Sequence, residues 1–219
     1  MRFMLNSKFK IILQQLEHHA PFTCIGAASG ILAMFFMRNI EHDAAEQFFY
    51  WLHPAHVVVS ALATAAMYKA FKDDSDGNKA GILALLFIGY LGSVGIATLS
   101  DSLIPYLGES MLKMPHAHAH IGFIEMWWLV NPAAILGILL AYFRPSTKFS
   151  HTGHVFLSTW ASLFHILMAM GADINIFTYA MVFIFLFIAV WLPCCFSDII
   201  FPLLFLGKVE PCPHGPGKH

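Results

Sequence analysis

Six apolar runs divide the chain, at roughly 21–37, 48–68, 80–100, 121–143, 155–170 and 174–205. Each is long enough and poor enough in charge to predict a membrane-spanning helix. The last is long enough to tilt, break or continue past the membrane. Polar and charged residues collect between the runs. Arg2, Lys8, Lys10, Lys69, Lys72, Lys79, Arg144, Lys148, Lys208 and Lys218 lie on segments that six spans put on one side. The other side has Arg38 and Lys113 against Glu41, Asp43, Glu46, Glu109 and Asp173. Basic residues mark the cytoplasmic side, so both termini are expected there. The basic, amphipathic stretch 1–16 reads as a surface helix or an extension of the first span, without a cleavable signal.

The pattern repeats. His53-Pro54-Ala55-His56-Val57-Val58-Val59-Ser60-Ala61-Leu62-Ala63 and His151-Thr152-Gly153-His154-Val155-Phe156-Leu157-Ser158-Thr159-Trp160-Ala161 both read H-x-x-H-V-x-x-S-x-x-A, 98 residues apart. Ser100-Asp101 and Ser197-Asp198 each open S-D-x-x-x-P-x-L, closing at Leu107 and Leu204, 97 residues apart. A weaker match sets Gly30-Ile31-Leu32 and Phe36 against Gly137-Ile138-Leu139 and Phe143. The three matches fall in order on spans two and five, three and six, and one and four. The expected fold is therefore all-α, a polytopic membrane protein of six helices arranged as a three-plus-three inverted repeat. It is read as one transmembrane domain over 1–219, with repeats at about 17–108 and 121–207 and a flexible tail at 208–219.

Composition agrees with a membrane location. Of 219 residues, 58% are hydrophobic and 11% charged, far from the usage of a soluble domain. A net charge of −1 gives no reason to expect nucleic acid as a partner. The expected partners are a lipid bilayer, a metal ion and a second copy of the chain. The stripes Gly26 and Gly30, and Gly89, Gly92 and Gly95, permit the close helix approach a homodimer needs. A bacterial inner membrane is the expected location.

Histidine changes the picture most, because its 13 copies outnumber the 12 Lys plus Arg. On the expected topology, His53, His56, Asp101, Glu125 and His165 lie near the outer face, with His116, His118 and His120 in a loop there. His151, His154, Asp198 and His18 lie near the inner face. Ionisable groups at membrane depth need a partner or a function. Imidazole with carboxylate is a ligand set for Zn, Fe, Mn, Co, Ni or Cu. Each member has a plainer alternative. His53 and His56 can mark a helix start or the interface, and Asp101 and Asp198 can cap amides where a helix breaks before Pro105 and Pro202. Glu125 can pair with an interfacial base, and His165 can hydrogen-bond a neighbouring helix. Cys194 and Cys195 are soft ligands or inert buried thiols, and four cysteines so placed are not a disulfide framework.

The reading that follows is a transporter or channel for a divalent transition metal, with the two histidine pairs as mouths on opposite faces. The alternatives are a membrane-embedded metalloenzyme, a hydrolase or oxidase with one site at the outer face, and a haem protein with His56 and His165 as axial ligands.

Overall fold

The computed structural model describes residues 2–76, 81–143, 148–171 and 175–205, which are helical apart from short turns and contain no strand. In chain order the helices are α1 (Arg2–Met37), α2 (His42–Asp76), α3 (Ile82–Met111), α4 (Gly122–Glu125), α5 (Trp127–Phe143), α6 (Lys148–Ala169) and α7 (176–204). Among the described residues, every apolar run falls on helix. The fourth is interrupted where Met126 leaves the helical region (φ −125°, ψ 43°) and separates α4 from α5. The tail at 208–219 lies outside the described residues.

Among the described residues, three segments are long and apolar enough to cross a membrane: His19–Met37 of α1, all of α3, and Ile176–Cys195 of α7. α5 and the apolar part of α6, Gly153–Ala169, are shorter. α2 is less apolar because it carries His53, His56, Ser60 and Thr64, all of them buried. Large apolar side chains point outward instead. Phe36, Trp51, Leu83, Phe143 and Ile176 are each three-quarters or more exposed. An outside this greasy around a polar inside is compatible with helices solvated by lipid.

α2 crosses the middle of the bundle, with α5 on one flank and α6 on another, and α1 and α7 pack against α6. Small residues set the spacing. A Cβ on Gly137 of α5 would overlap the Val58 carbonyl and lie 2.8 Å from Ala61 Cβ, so the backbones of α5 and α2 touch. On the other flank, a Cβ on Gly30 of α1 would lie 3.5 Å from Thr159 Cγ2 of α6 and 3.3 Å from Leu186 Cδ1 of α7.

The α1–α2 and α3–α4 connections and the end of α6 gather at one end, here the loop end. His42 Nδ1 donates to the Met168 carbonyl (3.1 Å) and the His116 N–H to that of Ala169 (3.3 Å). α3 stops there because Lys113 adopts a left-handed φ of 54°. The Met114 N–H then closes on the Glu109 carbonyl at 2.9 Å, a cap that satisfies the last turn. Asn175 starts α7, its Oδ1 accepting the Thr178 N–H at 2.9 Å.

Candidate metal centre

α2 and α6 run antiparallel along their shared face. Phe48 stacks on Phe164 (4.7 Å), Phe49 meets the edge of His165 (5.4 Å), and His56 lies against His154 (4.6 Å), so partners descend on α6 as α2 ascends. The expectation of two separate histidine mouths fails at this point. α2 begins at His42, well before the predicted span, which carries His56 deep along the helix rather than leaving it at an end. Cys194 of α7 completes the group. The ligand atoms of His56, His154 and Cys194 lie within 4.8 Å of one another, and all three residues are buried.

Asp101 stands behind the imidazoles. Its Oδ2 accepts from His56 Nδ1 (2.6 Å) and His53 Nδ1 (2.9 Å), and its Oδ1 from Ser100 Oγ (2.7 Å) and Ser158 Oγ (3.0 Å). A carboxylate only accepts, so both histidines carry a proton on Nδ1, and in the neutral imidazole the Nε2 lone pair is then the one turned the other way. Neither Nε2 has a hydrogen-bond partner. A buried acceptor left so costs roughly 1–3 kcal/mol, and a metal ion would relieve it. Asp101 was expected as a ligand or a cap. With both oxygens occupied, it orients and polarises the histidines instead.

The helix does not break before Pro105. The turn Leu99–Leu103 widens to a π-helix, and the Ile104 N–H reaches back five residues to the Leu99 carbonyl. The next donor in that register is Pro105, which has no N–H. The orphaned Ser100 carbonyl accepts instead from Ser162 Oγ of α6, at 3.0 Å. α7 repeats the device. Phe196–Ile200 is a π turn, the Phe201 N–H reaches the Phe196 carbonyl, and Pro202 follows. There the Ser197 carbonyl accepts from Thr64 Oγ1 of α2 at 3.4 Å. Ser197 Oγ also lies 2.8 Å from Thr64 Oγ1 and 3.3 Å from Ser60 Oγ, and donates to the Gly92 carbonyl at 3.0 Å.

Towards the loop end, Phe49 stacks on His53 (5.3 Å) and separates it from His165. His165 donates from Nδ1 to Glu109 Oε1 (2.6 Å) and accepts the His120 backbone N–H at Nε2 (3.3 Å). With both nitrogens engaged, His165 does not suit an axial haem ligand. Beyond it, the ligand atoms of His118, His120 and Glu125 lie within 4.8 Å of one another at the surface. Glu125 Oε2 accepts from Tyr50 OH (2.8 Å) and faces His120 Nδ1 (3.4 Å). Partial burial holds the His120 imidazole below its ordinary pKa, against the opposing pull of Glu125. His116 stands apart, its ring 6.4 Å from that of His42.

The predicted residues thus divide into a deep group (His53, His56, Asp101, His154) and a loop-end group (His118, His120, Glu125), with His165 between. The side chains of His18, His151 and Asp198 lie outside the described part. Sequence reasoning undervalued Cys194 and missed Glu109, Phe49 and Ser158. Ser158 had a signal, as the shared serine of the repeated phrase. No protein-family model matches the chain, and no curated protein or solved structure matches it either.

Proposed function

We propose that the chain is a membrane transporter for a divalent transition metal, with its central site at His56, His154 and Cys194. The observation that carries this is the buried convergence of two imidazoles and a thiol from three helices. Asp101 holds His56 with its metal-binding nitrogen unpartnered. A thiolate in the set favours the softer candidates, zinc and copper, over manganese. Three ligands leave a fourth position of a tetrahedral ion open, which suits an ion that must enter and leave. From the loop end the ion would pass Phe49 and His53.

The architecture behind this reading is six spans in two inverted halves. Exchange of the halves maps Ser60 on Ser158, Thr64 on Ser162, Ser100 on Ser197 and Gly30 on Gly137. The contacts obey the exchange. Ser162 takes the Ser100 carbonyl as Thr64 takes the Ser197 carbonyl. Gly137 meets Ala61 as Gly30 meets Thr159, the counterpart of Ala61. His56 and His154 are also counterparts, so their contact belongs on the axis relating the halves. That axis is where substrates bind in repeat-built transporters. The basic segments would set the loop end outward, with both termini in the cytoplasm of a bacterial cell.

A metalloenzyme remains the second reading, favoured by one observation: the central site is single and unequal. Cys194 has Ala97 as its counterpart, so the exchange does not generate a second copy. Zinc flux into proteoliposomes containing an indicator dye separates the two. Wild type should load the vesicles, and His56→Ala/His154→Ala should not. Equal flux in both overturns the central site. Metal retained on purified wild type without flux favours the enzyme.

A further inference from the structure

His118, His120 and Glu125 make a group distinct from the central site, on the far side of Phe49 and His165. The alternation in His118-Ala119-His120 explains how two rings converge. Residues 117–121 are outside any helix, and in an extended stretch every second side chain shares a side. The rings lie 4.8 Å apart. Glu125, at the end of α4, reaches back so that its Oε1 accepts the Ile121 N–H at 3.3 Å while Tyr50 holds Oε2.

The group is built on a buried support. The His120 backbone N–H rests on His165 Nε2, and Glu109 fixes that ring through Nδ1. Glu109 and His165 are enclosed, in the last turn of α3 and near the end of α6. Their hydrogen bond fixes the tautomer that accepts from His120. A loose surface loop would need no such anchor.

We propose that His118, His120 and Glu125 form a second metal site, for a borderline divalent cation such as zinc, cobalt or nickel. Two imidazoles and a carboxylate, without sulfur, define that class and set it apart from the thiolate-bearing central site. Tyr50 stays on Glu125 as the support that fixes the carboxylate's orientation, as partners behind ligating groups do. The site stands whether or not the central one moves its ion.

Cobalt(II) binding to the purified, full-length protein tests this, because only a thiolate-ligated cobalt gives a strong sulfur-to-metal charge-transfer band. Wild type should bind two cobalt ions, one with that band. His118→Ala/His120→Ala should lose one ion and keep the band. Cys194→Ser should lose the band and keep the sulfur-free ion. Unchanged stoichiometry in the histidine variant overturns the proposal. Absence of the band in wild type overturns the central site alone. Should the double histidine variant unfold on a thermal melt, Glu125→Gln replaces it, with an expected loss of at least about tenfold in affinity for the sulfur-free ion. Unchanged affinity there overturns the proposal equally.

Discussion

His56 Nδ1 lies 2.6 Å from Asp101 Oδ2, and the other nitrogen of that ring has no hydrogen-bond partner. The carboxylate therefore fixes which nitrogen is basic and where it points. Asp101→Asn preserves the shape but puts an N–H₂ where two donors now converge. Metal affinity of the central site should fall about 10–100-fold. Competition with a zinc chelator measures this, and an unchanged affinity would show that Asp101 is structural only.

In the proposed central site, Cys194 should set the class of ion. Replacing its sulfur by the harder oxygen in Cys194→Asp should weaken cadmium, a soft probe, by more than about tenfold and leave manganese nearly unaffected. Isothermal titration with the two ions gives the ratio. Parallel losses for both would mean that the thiol packs against the site without ligating.

At the loop end the prediction concerns protons. Burial is the larger influence on His120 and lowers its pKa, while Glu125 raises it. In the metal-free protein His120 should stay neutral to a pH below the usual value of about 6.5. Its share of stability is then present above that value and is lost as the pH falls from it through the lower folded value, because the unfolded chain takes up the proton first. Glu125→Gln removes the opposing pull and should move the transition lower still. Histidine resonances followed by NMR would decide this, and an upward movement would contradict it.

Gly137→Ala tests the central crossing. The added methyl would overlap the Val58 carbonyl, a backbone atom that cannot rotate aside. α5 must withdraw from α2, at a cost of about 1–3 kcal/mol. Gly30→Ala meets only flexible side-chain atoms at 3.3 Å and beyond, so it should cost less. Thermal melts in detergent compare the pair.

The helices were legible because outward-facing apolar positions leave long apolar runs, and a run needs no partner to be recognised. Depth was not. His56 was assigned to the start of its span from where the apolar run begins, but α2 starts at His42, about 21 Å of helix earlier at 1.5 Å per residue. The third apolar run ends at about residue 100, which sets Glu109 among the charges between runs. α3 instead runs on to Met111 and buries it. Cys194 has no histidine near it in sequence, and only the packing of α7 against α2 and α6 supplies them. The π turns leave little trace in hydrophobic periodicity. The mark of those at Leu99–Leu103 and Phe196–Ile200 is the proline that follows, which serves a break equally well, whereas a third at Leu91–Gly95 has none.

Each π turn amounts to one residue too many for an ordinary helix. A surplus residue swings everything downstream by about 100° around the helix axis. Deleting one residue between Leu99 and Leu103 should leave α3 helical yet turn Glu109 away from His165. The same surplus stands beside Ser197-Asp198 in α7. If the two halves descend from one ancestral segment, the insertion came before the doubling, and both copies inherited a helix already out of phase.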